Sequence, residues 1–153
     1  MNQIHLKTVP SNRWQRRRGA AAVEMALVLP IFLMLAFGII EFGRAMMASN
    51  MVTNAAREGA RLAVLDGSTN AEVVSSVQAF INSTLNISSS SVSVTITTVP
   101  GTGNPDPANV IANCQQGDLI TVKVQVPFNS VALVPGNYLA GKQLIGQTAM
   151  RHE

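Results

Sequence analysis

Charge is scarce in this chain. Only 12% of its 153 residues are Asp, Glu, Lys or Arg, against about 25% in an ordinary soluble domain. With 47% hydrophobic residues and a mean hydropathy of +0.25, that scarcity excludes a disordered chain and argues against a plain cytosolic globule. Aromatic residues are few, at 5%. Cys114 is the single cysteine, which excludes an intrachain disulfide and a thiolate metal cluster. The two histidines, His5 and His152, stand near the chain ends, so no imidazole is placed to activate that thiol. There is no Ser/His/Asp set, no phosphate-binding glycine loop and no carboxylate pair. Asn104, Asp106 and Asp118 lack the spacing of a calcium loop and read as turn chemistry. The sequence therefore supports neither an enzyme nor a cofactor or metal site. The Asn82-Ser83-Thr84 and Asn86-Ile87-Ser88 sequons are short enough to arise by chance.

The basic balance is also missing where a nucleic-acid binder would need it. The net charge is +3 and the pI about 9.6. Residues 1–18 hold Lys7, Arg13, Arg16, Arg17 and Arg18 and no acid, whereas residues 19–153 hold six basic and eight acidic residues. The leader is thus +5 and the remainder −2. With no basic face on the folded part, nucleic acid is excluded as a partner.

What the sequence does have is one long apolar run. Residues 20–40 (AAAVEMALVLPIFLMLAFGII) contain a single charge, Glu24. As a helix they span roughly 31 Å at about 1.5 Å per residue, matching a bilayer core of about 30 Å. The arginines before it keep the N-terminus cytoplasmic, so the remainder is translocated. Pro30 is compatible with a membrane helix. Glu41 and Arg44 mark the membrane exit, with Phe42 at the interface.

No breaker follows. Residues 41–66 are rich in Ala, Met, Leu and Arg, which favour helix. Met47, Met51, Ala55, Gly59, Leu62 and Leu65 recur every three or four residues and so share a face. The pattern predicts one helix over about 20–65, capped at Asp66-Gly67.

The rest predicts an α+β domain. Thr69 and Glu72 form a capping box. Val73, Val74, Val77, Phe80, Ile81 and Leu85 give a second helix an apolar stripe over 70–84. Val92, Val94 and Ile96 alternate as one strand, and Ile120, Val122, Val124 and Val126 as another, stopped by Pro127. Residues 100–109 are loop, Ser88–Ser91 is a strand approach, and Pro135-Gly136-Asn137 is a turn. Residues 143–151 make a third strand with Leu144, Thr148 and Met150 on one side. The predicted architecture is a long N-terminal helix, a short helix and a small antiparallel sheet of about three strands.

The junction between leader and apolar run is unusual. A secretory signal peptide places small residues after its apolar core. Here Gly19-Ala20-Ala21-Ala22 precede it, directly after Arg16-Arg17-Arg18. Then Glu24 enters the span, where a charge costs about 2.5–3.5 kcal/mol at the bilayer centre on insertion scales. Glu24 lies nearer the end, so its cost is smaller. Position alone leaves open whether it is functional or merely reaches back to the interface or to Arg18.

The stretch Gly19-Ala20-Ala21-Ala22-Val23-Glu24-Met25-Ala26-Leu27-Val28-Leu29-Pro30 resembles the opening motif of TadE-like minor pilins of the tight-adherence (Flp, type IVb) pilus system. Gly38-Ile39-Ile40-Glu41-Phe42-Gly43-Arg44 and Asn54-Ala55-Ala56-Arg57-Glu58-Gly59-Ala60-Arg61 continue the likeness. It covers residues 18–61 and thins to architecture beyond them, apart from a terminal TAMR stretch.

The resemblance implies a pilin-like fold and a role in pilus assembly or initiation. It implies that residues 1–19 are a leader cut after Gly19 by a prepilin peptidase, so that Ala20 becomes the first residue and Glu24 the fifth. It further implies that Glu24 recruits the subunit, pairing with the terminal ammonium of a neighbour. In low dielectric such a pair is far stronger than in water, and leaving it unpaired is penalised. The implied partners are the peptidase, other pilus or pseudopilin subunits, inner-membrane assembly proteins and the lipid bilayer. The implied location is the bacterial inner membrane, single-pass, with residues 41–153 extracytoplasmic. Ala20 departs from the phenylalanine that many type IVa pilins carry, and Met25 departs from the Glu-Tyr step of the major Flp subunit. The first suits the type IVb branch, and the second favours a minor component.

A row of small residues, Ala55, Gly59 and Ala63, suits close helix packing. An amphipathic face usually packs on its own domain, which favours a seat against the C-terminal sheet over a seam between subunits. Arg57, Glu58 and Arg61 read as a solvated, locally paired face. Two other readings stand beside this one. Ala36-Phe37-Gly38 is a passable signal-peptidase site, which would release a soluble binding module starting at Ile39. An uncut chain would be a membrane-anchored extracytoplasmic scaffold.

Overall fold

The computed structural model describes residues 13–132 and 139–153, with side chains from Gly19 onward. The predicted turn at Pro135-Gly136-Asn137 lies outside the described residues. The chain divides into two compact units, Met1–Ile39 and Ile40–Glu153.

The first helix, α1, runs over Arg13–Ala63 with Pro30 inside it. It starts earlier than the apolar run, because Arg, Trp and Gln before Gly19 are compatible with helix. It ends two residues before the predicted limit. Leu65 N–H then donates to the Leu62 carbonyl, and Ser68 N–H to that of Leu65. Gly67 takes the left-handed conformation, φ 81°, within this following turn and not as the direct helix cap. The part of α1 from Gly19 is long and apolar enough to cross a membrane, and none of its most apolar stretch is buried.

Within the unit Ile40–Glu153, α2 spans Asn70–Leu85. Both halves of the capping box are made: Thr69 accepts from Glu72 N–H, and the Glu72 carboxylate accepts from Thr69 N–H. The helix ends at Asn86 in the left-handed region. Val73, Val77, Ile81 and Leu85 are buried, while Val74 and Phe80 flank them half-buried. One 3-10 turn, Ser89–Ser91, leads into the sheet.

The sheet is antiparallel in the order β1-β2-β3, with β1 at Ser93–Val99, β2 at Leu119–Pro127 and β3 at Gln143–Arg151. Ile120, Val122, Val124 and Val126 of the central strand are fully buried. In the register, Val122 stands between Ile96 and Thr148, and Val124 between Val94 and Gly146. The apolar rows read from the alternation thus lie on one face. The predicted third strand forms, with Leu144, Thr148 and Met150 turned to that face beside Gly146. The architecture is α+β.

The face that α1 gives to this core differs from the predicted one. Ala48, Val52, Ala55, Ala56, Ala60 and Ala63 are completely buried, whereas Met47 and Leu65 are about half exposed. The reason is distance. Gly146 of β3 lies so close to α1 that an added Cβ would come 2.5 Å from the Val52 carbonyl oxygen. At that separation only Ala, Gly and Val fit the seam, and the larger side chains rotate out.

Candidate functional site

The residues singled out for processing lie on the first part of α1. Arg16, Arg17 and Arg18 fall in its first turns, and their side chains lie outside the described residues. Gly19, Ala20 and Glu24 are all exposed. A Cβ built on Gly19 meets nothing within 4 Å, and the same holds at Gly38 and Gly43. Glycine in a helix interior costs about 1 kcal/mol relative to alanine, so nothing within the described structure rewards its presence at 19. Among the described residues the Glu24 side chain makes no hydrogen bond or ion pair. Ala36-Phe37-Gly38 lies inside continuous helix.

The second part of α1 is used differently. Ala55, Gly59 and Ala63 are buried. A Cβ at Gly59 would come 2.6 Å from Val77 Cγ2 and 3.3 Å from Val122 Cγ1, so this glycine is where α2 and β2 approach the helix. On the opposite side Arg61 Nη2 pairs with Glu58 Oε1 at 2.7 Å. That hydrogen bond lowers the Glu58 carboxyl pKa and raises that of the Arg61 guanidinium. Arg57 is exposed.

Two charges read as a membrane exit turn inward. Glu41 is buried, and Arg44 Nε donates to the Val131 carbonyl. Their i,i+3 spacing puts both toward the domain, a consequence of helix phase that linear hydropathy does not register.

Asp118, read as turn chemistry, instead clamps the loop between β1 and β2. It is fully buried, and its oxygens accept from Gly101 N–H at 2.7 Å, Asn104 Nδ2 at 2.6 Å and Gln115 N–H at 2.8 Å. The Gln115 and Gly101 N–H groups, then Asn104, hold its carboxyl pKa below the ordinary 3.8. Asn104 presents its NH₂ group to Asp118, so the two form a donor–acceptor pair and not two ligands facing one cation. Asp106 does make a local turn, accepting from Ala108 N–H. Thr98 and Asn109 bond reciprocally and tie the same loop to β1. The signal for the clamp is long-range, spanning fourteen to seventeen residues, and no local pattern reveals it.

Cys114 is half-buried, and burial followed by the Asp118 charge pushes its thiol pKa up, the opposite of activation. The His152 ring is buried, with Nε2 3.8 Å from Asp66 Oδ1 and no partner at Nδ1 among the described residues. No group of three or more His, Cys, Asp or Glu side chains that could hold a metal occurs among the described residues. The unit Met1–Ile39 thus carries an apolar helical stretch with one exposed acid, Glu24, and the unit Ile40–Glu153 a compact α+β core.

Comparison with known proteins agrees for the helix. Residues 19–61 match the model of a family described as TadE-like protein, consistent with a TadE-like pilin of the tight-adherence (Flp) system. No curated protein and no solved structure matches the chain.

Proposed function

We propose that this protein is a minor pilin or pseudopilin that acts in assembly or initiation of a tight-adherence type IVb pilus, with a structural and not an enzymatic role. Residues 1–19 form the cytoplasmic leader. α1 is held in the inner membrane by its apolar part, and the domain stands outside the cytoplasm. A prepilin peptidase cuts after Gly19, and Glu24 then pairs with the Ala20 ammonium of an adjacent subunit. Inner-membrane assembly proteins and other pilus subunits are the remaining partners.

The observation that carries this reading is that Gly19 and Glu24 are exposed and answer to no contact among the described residues, inside the segment matching the TadE-like model. No contact among the described residues accounts for either, which supports an external reader. The leader glycine lets the scissile bond enter a narrow site. Glu24 converts insertion cost into register, because the charge is relieved only when a neighbour supplies a cation.

Two substitutions test it in cells carrying the pilus system. Gly19→Val should leave the folded domain unchanged and abolish leader removal. Glu24→Gln should be inserted and cut normally yet fail to enter the assembly. Normal incorporation of Glu24→Gln at native expression would contradict the recruitment role.

A further inference from the structure

On the surface of α1 the change from apolar to polar comes later than it does along the sequence. At 3.6 residues per turn, Glu41, Ala45, Ala48 and Val52 share the side turned to the domain, and Arg44 lies at its edge. Glu41 is only 2% exposed, and Arg44 is held by the Val131 carbonyl. The opposite side carries Ile40, Phe42, Gly43, Met46 and Met47, then Asn50, Asn54, Arg57 and Arg61. Every exposed residue from 40 to 47 is apolar or glycine: Ile40 is 50% exposed, Phe42 60%, Met46 59% and Met47 46%. From Asn50 to Arg61 every exposed residue is polar. The outward boundary therefore falls between Met47 and Asn50, about two turns beyond the first charge.

We propose that the Ile40, Phe42, Met46 and Met47 face is a lipid-contact surface of the domain-bearing unit, so that the membrane boundary of the anchored protein lies at Met47–Asn50 and not at Ile40–Glu41. This rests on the membrane-anchored reading given above. Lipid is the occupant favoured for two reasons. The face continues the exposed apolar series that begins at Val23. It is also built from large, flexible side chains with Gly43 alone small, whereas a tightly packed partner helix selects small residues. Withdrawal of Glu41 and Arg44 onto the domain is what lets this part of the helix touch hydrocarbon. The apolar length then runs from 20 to 47, about 42 Å against a core of about 30 Å. The excess is absorbed by tilt.

The test uses the full chain with Cys114→Ser, reconstituted in phosphatidylethanolamine–phosphatidylglycerol vesicles. Nitroxide labels are placed singly through Val28→Cys, Phe42→Cys, Met46→Cys, Met47→Cys, Asn50→Cys and Asn54→Cys. Collision with dissolved oxygen reports lipid, and collision with a water-soluble nickel chelate reports solvent. The expected result is loss of nickel access at 42, 46 and 47, matching 28, with access restored at 50 and 54. Nickel access at 42–47 equal to that at 54, with 28 still protected, would overturn the boundary while leaving the anchor intact. Nickel access at 28 as well would overturn the membrane reading itself. Protection at 42–47 that vanishes on dilution of the protein in lipid would assign the face to subunit packing and overturn lipid contact.

Discussion

The two parts of α1 use the same small residues under opposite constraints. At Gly19, Gly38 and Gly43 an added methyl group meets open space, whereas at Gly59 it strikes Val77. Ala20 is exposed, whereas Ala55, Ala56, Ala60 and Ala63 are completely buried. In the later part a small residue is a packing requirement, because α1 lies against α2 and the sheet. In the earlier part nothing among the described residues requires it, which is why its reading by another molecule is proposed. Residue type alone does not tell these cases apart, and local packing does.

Removing the later part should have the largest effect. The domain core joins Ala48–Ala63 to Val73, Val77, Ile81 and the β2 valines. A fragment of residues 66–153 loses that whole side of its core, and three strands with one short helix bury too little surface for a stable fold. It should aggregate or melt without cooperativity, whereas residues 45–153 should be soluble and melt sharply. Equal melting of the two fragments would free the Ala55, Gly59 and Ala63 row for partner helices.

Next comes a matched pair of substitutions. Gly146→Ala sets a methyl group against the Val52 backbone and should cost about 1–3 kcal/mol as overpacking. Gly38→Ala adds the same group in open space and should leave the stability of the domain unchanged. Denaturant unfolding of both variants reads the contrast directly. Comparable losses would mean that the two parts of the helix are not constrained as differently as described.

A smaller effect concerns pH. The folded-state pKa of Asp118 is depressed, so its stabilising contribution is fully present above its unfolded value and is lost as pH falls through the folded value. Residues 45–153 should therefore hold constant stability at neutral pH and weaken below about pH 4. Asp118→Asn should be less stable at neutral pH and show a shallower acid limb. An unchanged limb would remove Asp118 as the acid-sensitive group of the loop.

Much of this was legible from local pattern. The capping box at Thr69 and Glu72, the alternation of Ile120 to Val126 and the stripe of α2 each depend on neighbours within a turn or a strand, and each element formed as read. The face of α1 did not follow the largest hydrophobic residues, because close approach of helix to strand selects size over hydrophobicity. Met47 and Leu65 were displaced by Ala48, Val52 and Ala63. The Asp118 clamp and the Arg44–Val131 hydrogen bond depend on residues far along the chain, and the burial of Glu41 on the phase of the helix, neither of which linear hydropathy encodes. The motif at Gly19 and Glu24, proposed as a processing and recruitment signal, is of another kind. It is a linear signal, and the described structure adds only that nothing else there accounts for it.

The first part of α1 is proposed to be read by partners and not by the fold. Mass spectrometry of the mature protein purified from membranes of cells with an active prepilin peptidase tests this most directly. The expected result is a chain beginning at Ala20, and the full leader retained when the peptidase is absent. A chain still beginning at Met1 with the peptidase present, or one beginning at Ile39, would contradict it.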